Sequence, residues 1–370
     1  MTDLAITAVQ FPETPDGGSS GGGGRPDSAA DFQACQALRE AHELQKWGNL
    51  DRCATASEAV EFWRGSGYEE RHVYIARLGG ELVGICSVTL PLRENTNTAG
   101  IDVLVAPAHR RRGWGRQLLE YAESVAAGRG RTSLDAYCEI PVELVERSAG
   151  LLPAKSGAGG LPRDEASTAF ASAAGYELEQ VERSSRLALP VATERLEILE
   201  AEASAHAGNY RMVAWAESCP EEFVAEYAVL KARMSTDVPT AGLDWGAEVW
   251  DVARIRHDER TLVRSGVQVQ VGAALHRASG VLAAYTVLNW RPEVPATMIQ
   301  QDTLVSAEHR GHRLGMLVKL ANLRLAQRRW PAARSVLTWN ASENQHMLAI
   351  NISLGFKPAG YEGEWQKRLG

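Results

Sequence analysis

The run Asp102-Val103-Leu104-Val105-Ala106-Pro107-Ala108-His109-Arg110, continuing into Arg111-Arg112-Gly113-Trp114-Gly115, returns 200 positions later. There it reads Asp302-Thr303-Leu304-Val305-Ser306-Ala307-Glu308-His309-Arg310 and then Gly311-His312-Arg313-Leu314-Gly315. Asp, Leu, Val, His, Arg and the final Gly all keep register. A second pair, Gly80 to Val88 and Gly280 to Leu288, holds the same offset, and each member reads as a glycine-turned hairpin entering a strand. Two coincidences at one spacing imply a duplicated domain, and a long period of this kind decides the fold before any local pattern does. The 370 residues leave room for two cores.

Each copy is expected to follow one order: amphipathic helices, a hairpin, a strand ending at the His-Arg element, a helix, another strand, and a last helix before an aromatic strand. The fold class is therefore α/β, of the α+β kind with a mixed sheet, built twice. The 3.6-residue period places helices over 29–46, 57–64 and 117–125 in the first copy, and over 193–206 and 220–233 in the second. Pro220-Glu221-Glu222 is a favourable helix start. The helix from Leu314 to Arg329 stops before Pro331. Residues 12–28, with Gly17, Gly18 and Gly21 to Gly24, read as a flexible linker, and residues 150–163 as a Gly/Pro/Ala loop. The expected division is a flexible segment over 1–28, one domain over 29–189 and another over 191–370, with the break near Leu189-Pro190.

Composition excludes several classes of function. The net charge of -7 is held as 19 basic against 26 acidic residues up to position 190, and 20 against 20 beyond it. Neither half has the basic excess of a nucleic-acid binder, so a small or cationic partner is the better expectation. The five cysteines form no CxxC pair and no cluster at metal-ligand spacing, which predicts no metal site. No apolar run of about 18 residues is present for a membrane span, and the start lacks a secretory pattern. These features predict a cytoplasmic protein that works without a membrane; assembly as a homodimer is left open.

A strand that runs through Arg-x-x-Gly-x-Gly into a helix gathers backbone N–H groups at the positive end of the helix dipole, where a pyrophosphate binds. Residues 110–115 fit in full; in the second copy Arg313 replaces the middle Gly. Near the C-terminus the chain reads Asn344-x-x-Met347-x-x-x-Asn351-x-x-Leu354-Gly355-Phe356. Together with the order of elements, these segments resemble the GNAT acyltransferase superfamily, here as a tandem-domain protein, over nearly the whole chain beyond residue 28.

That resemblance implies acetyl-CoA as acyl donor. It implies a pyrophosphate held by residues 111–116 (Arg111, Arg112, Gly113, Trp114, Gly115, Arg116) and by the second loop from Arg310 through Gly311, His312, Arg313 and Leu314 to Gly315. Splayed strands would free backbone groups of Leu104, Val105, Leu304 and Val305 for the pantetheine arm, with the Val305 N–H as oxyanion donor and Asn344 reaching that arm. The family's Tyr, four residues before the Gly-aromatic pair, is replaced by Asn351 in the second copy and by Ala171 in the first. The position matching Asn344 is Asp164 in the first copy. The second copy is accordingly expected to be catalytic, and the first degenerate, regulatory or acceptor-shaping.

Asp302 is the candidate general base, or else a strand-end Asp paired with an arginine, as Asp102 in the other copy suggests. Tyr285 either faces the thioester or packs in the core. His109 and His309 are expected to support the loops through hydrogen bonds. Seven of the ten tryptophans lie in the second half, lining an acceptor pocket or filling an enlarged core. Trp215, Asp244, Trp245, Glu248, Trp250 and Asp251 fall in the segment that covers the acceptor in the family. The function implied is an acyl-CoA-dependent N-acyltransferase acting on a primary amine of a small molecule by direct attack in a ternary complex. The rivals are a mycothiol synthase-like enzyme and a non-catalytic acyl-CoA-binding tandem protein.

Overall fold

A computed structural model describes residues 4–14 and 27–370. Residues 15–26, most of the expected linker, lie outside the described residues. The chain divides into two compact units that are not successive stretches. The first holds the chain up to Val181 together with Ala241–Trp245 and Tyr361–Gly370, and the second holds Glu182–Thr240 and Gly246–Gly360. The expected break at 189/190 is thus replaced by a crossing inside one strand and a return of the C-terminal strand.

The first unit contains β1 (Ala5–Ala8), α1 (Asp27–Trp47), α2 (Ala56–Arg64), β2 (Glu69–Leu78), β3 (Glu81–Pro91), β4 (Thr98–Val105), α3 (Trp114–Gly128), β5 (Ser133–Pro141), α4 (Val142–Glu146), β6 (Leu151–Pro153), β7 (Gly160–Pro162), α5 (Ala166–Ala173) and the start of β8 (Glu177–Ala188). The second contains α6 (Thr193–Ser204), β9 (Tyr210–Ala216), α7 (Glu221–Asp237), α8 (Val252–Arg264), β10 (Gln268–His276), β11 (Leu282–Trp290), β12 (Thr297–Val305), α9 (Leu314–Arg329), β13 (Ser335–Ala341), α10 (Gln345–Leu354) and the start of β14 (Lys357–Arg368). Two expectations need correcting. Residues 5–8, expected to be flexible, pair with Tyr74 to Arg77 of β2, because that strand's edge is otherwise open. Residues 150–163 are not structureless: β6 and β7 form a hairpin there.

In the first unit the strands run β1-β2-β3-β4-β5-β14, and in the second β8-β13-β12-β11-β10-β9. Alternation sorts each sheet's two faces. In β4 and β5, Ile101, Val103, Val105, Leu134, Ala136, Cys138 and Ile140 pack with α3, while Leu104 and Ala106 join Cys35 and Leu38 of α1 on the opposite face. The strand spacing is tight where β3 passes β4: a Cβ at Gly84 would stand 2.6 Å from the Leu104 carbonyl oxygen, so only glycine fits. In the second unit α9 carries Leu314, Val318 and Leu320 into one core, and α7 and Tyr285 border the other. Of the tryptophans in the second half, Trp215, Trp330 and Trp365 are buried, as a core requires.

Candidate active site

The decisive geometry is a parting of strands, present twice. β4 pairs with β5 in parallel only from Thr98↔Ser133 to Gly100↔Asp135, and β12 with β13 only from Thr297↔Ser335 to Ile299↔Leu337. Beyond those residues each pair diverges, so residues 101–105 and 300–305 keep a strand partner on one edge alone, β3 and β11 respectively. Ser306 N–H donates to the Ala283 carbonyl at 2.9 Å, and Ala106 N–H to that of Val83 at the same distance. Alternation then turns the amides of Val105 and Val305 toward the open side of each fork. Their carbonyls accept from Arg110 Nε at 3.0 Å and Arg310 Nε at 3.4 Å, which ties each loop to its fork.

Each loop makes two left-handed steps, at Arg111 and Gly113 and at Gly311 and Arg313, the second leading into a helix. Gly113 (φ 87°) precedes α3 and Arg313 (φ 55°) precedes α9, and neither helix start receives a side-chain cap. The first-turn N–H groups therefore have no competing side-chain acceptor at the dipole's positive end. Gly311 also has a positive φ of 86°. Arg111, Arg112, Gly113, His312 and Arg313 are exposed. His109 Nε2 stands 3.1 Å from Glu81 Oε1. His309 Nδ1 is 2.9 Å from the Tyr210 hydroxyl, and burial, followed by the nearby His276, lowers its pKa. Both histidines thus brace loops through hydrogen bonds.

These elements match known proteins. Residues 38–147 fit the pattern of the acetyltransferase (GNAT) family. A tandem GNAT protein from the clavulanic acid biosynthesis pathway is 25% identical, with a TM-score of 0.72, 100% of this chain and 99% of that chain being covered. The chain has the tandem GNAT fold, with a GNAT acetyltransferase match over residues 38–147.

Two further structures share the fold. One is a GCN5-related glucosamine N-acetyltransferase region of a fungal multi-domain β-N-acetylglucosaminidase (12% identity, TM-score 0.62, 99% of this chain and 38% of that one). The other is a GCN5-related N-acetyltransferase from Sphaerobacter thermophilus (12%, TM-score 0.57, 99% and 96%). Comparison with curated proteins by sequence finds no match. No helix among the described residues is long and apolar enough to cross a membrane. The GNAT match and the shared fold support an acyl-CoA-dependent N-acyltransferase in general.

Its site residues divide sharply. Asn344 is the N-cap of α10, its Oδ1 accepting from Met347 N–H at 3.2 Å. In the first unit the cap is Glu165, whose side chain accepts from Ser167 and Thr168 N–H, one residue past Asp164, the position matching Asn344. Asn351 is fully buried; its Nδ2 donates to Asn340 Oδ1 at 2.7 Å and its own Oδ1 has no partner. Asp302 Oδ2 lies 2.5 Å from Lys231 Nζ and accepts from the Tyr285 hydroxyl at 3.0 Å. Asp102 likewise meets Arg39 at 2.8 Å. Ion pairing of both strand aspartates favours the structural reading of Asp302, whose carboxylate is occupied by the Lys231 ammonium and the Tyr285 hydroxyl. Tyr285 has no exposure, consistent with core packing.

The acceptor-covering candidates scatter. Trp215 is in the core, Asp251 caps α8, and Asp244 and Trp245 belong to the first unit. Only Glu248 and Trp250 stay together, through a 2.9 Å hydrogen bond, with the Arg254 guanidinium 4.2 Å over the indole. Sequence reasoning missed the ionisable cluster at the end of α1. Its helix was expected over 29–46, but His42 and Glu43 were not singled out.

Proposed function

We propose that this protein transfers an acetyl group from acetyl-CoA to a primary amine of a small molecule by direct attack within a ternary complex. The observation that carries this reading is the parting of strands just ahead of an uncapped helix start. It offers backbone donors to a thioester arm and amides to a diphosphate in one continuous path. On this reading Leu104, Val105, Leu304 and Val305 line the arm, the Val105 or Val305 N–H stabilises the oxyanion, and the amides of 111–116 and 310–316 hold the pyrophosphate. Holding amine and thioester together contributes on the order of 7 to 11 kcal/mol to lowering the barrier. This is why loss of the family's Tyr at Ala171 and Asn351 is compatible with turnover.

No covalent enzyme intermediate is required: Cys35, Cys86 and Cys219 are buried, and burial pushes their thiols up to about 11, 12 and 12. The test is steady-state kinetics with acetyl-CoA against a panel of primary amines. Intersecting double-reciprocal lines are expected. Parallel lines, or no CoA release with any amine, would overturn the reading.

A further inference from the structure

The two forks hold the same backbone geometry but opposite chemistry. In β5 the residues facing α3 are apolar, so Asp135, Tyr137 and Glu139 face the α1 side, the side on which Asp102 of β4 meets Arg39. The strand pairing aligns Ser133 with Ser335, and counting from there puts Leu337, Trp339 and Ala341 where the first unit has Asp135, Tyr137 and Glu139. The facing helix diverges in the same sense. Arg39 and Lys231 pair with equivalent aspartates; three and four residues on, the first unit has His42 and Glu43 and the second has Met234 and Ser235.

The first unit's fork is also built to hold something polar. Glu139 is bound by Arg52 at 3.0 Å, with both side chains nearly buried (12% and 4% exposed), and that guanidinium lies 3.9 Å over the Trp47 ring. Asp135 is fixed by Gln366 at 2.7 Å and by Trp245 Nε1 at 3.2 Å. Tyr137, two residues past the last β5 residue paired with β4, is 67% exposed. On α1, Glu43 Oε2 and His42 Nδ1 are buried atoms with no partner, as are the nearby Trp47 Nε1 and Arg52 Nε. Burial raises the Glu43 carboxyl, and it lowers the His42 imidazole to about 4, leaving that ring neutral.

We propose that the first unit's fork is the acceptor site of the acyl transfer and that it takes a cationic small-molecule amine, with Tyr137 and Glu139 contacting it and Glu43 as the base. This rests on the acyltransfer reading above. One ammonium proton passes to the Glu43 carboxylate; the nitrogen forms the amide bond to the thioester carbon as the carbon–sulfur bond breaks. The second nitrogen-bound proton ends on the departing CoA thiolate.

The test uses the full chain, acetyl-CoA and spermidine as the probe amine. Tyr137→Phe and Glu139→Gln are expected to raise the KM for spermidine about tenfold while leaving the KM for acetyl-CoA unchanged. Glu43→Gln is expected to lower kcat at least thirtyfold and to remove the acid limb of its pH profile. Calorimetric titration of spermidine into the protein–CoA complex reads the site independently of turnover. Binding weakened about tenfold by Glu139→Gln supports the proposal even if no amine is acetylated, a result that would sink only the acyltransfer reading. Spermidine binding and turnover that are unchanged in all three variants, or no spermidine binding to the wild-type complex, would overturn it.

Discussion

Lys319 shows how far a single residue's environment can depart from its appearance in the chain. It lies on α9 with 4% exposure, and burial brings its amine down to about 7. An unfolded lysine titrates near 10.4. Between pH 7 and 10 the unfolded chain therefore holds the extra proton, and folding stability rises with pH across that window; below pH 7 both states are protonated and the penalty is constant. Lys319→Met should abolish this slope and add on the order of 4 kcal/mol at pH 7, read from urea midpoints at pH 7 and 9.5. No sequence pattern marks this residue, because the helix period assigns a lysine to water. It is buried here because the first two turns of α9 are covered all round, every residue from Leu314 to Leu320 being buried. Arg313 is the opposite case. Its place at the middle glycine of the loop is legible in the sequence, and its φ of 55° is one that L-residues other than Asn or Asp seldom adopt. Arg313→Gly should stabilise the second unit by about 1 kcal/mol, measured by thermal unfolding.

Among the elements, the helices that follow the two forks and those beginning elsewhere are made differently. Thr55 and Glu58 form a full capping box at α2, and Asp251 caps α8 through Arg254 N–H, whereas α3 and α9 start without side-chain caps. Asn344→Ala removes the cap of α10 and should cost about 1 kcal/mol in denaturant unfolding, with any loss of acetyl-CoA affinity beyond that reporting contact with the pantetheine arm. The expected helices at 29–46, 57–64, 117–125, 193–206, 220–233 and 314–329 correspond to α1, α2, α3, α6, α7 and α9, because long apolar periods survive tertiary context. The α8 helix was passed over although Asp251 ahead of Val252-Ala253-Arg254-Ile255 is a readable start signal; the tryptophans around it drew a ligand reading instead. The forks themselves were legible only through family resemblance, since nothing local in Thr98 to Val105 says where a parallel neighbour lets go.

At the scale of the molecule, the duplication is visible in the sequence but the partition of the chain is not. Residues 361–370 complete the first unit. Trp365 is buried in its core, Gln366 reaches Asp135 at 2.7 Å, Lys367 pairs with Glu123 at 2.9 Å, and Leu369 N–H donates to Thr132 O at 2.8 Å. Contacts of this span have no short-range signature. Deleting residues 361–370 should destabilise the first unit selectively, read as faster amide hydrogen exchange in α3 and β5 with α9 and β10 protected as before. Unchanged exchange in α3 would contradict the assignment of this strand. A fragment ending at 189 should show the same loss for the same reason.

The borrowed strand also sets an order of events during synthesis. A ribosome releases everything up to Val181 long before it has made Tyr361, so the half of the protein that emerges first must wait, with Leu134 and Tyr176 short of a neighbour, until the other half has been translated. The earliest-born unit is the last to mature, because its final strand is made only after the whole of the second unit.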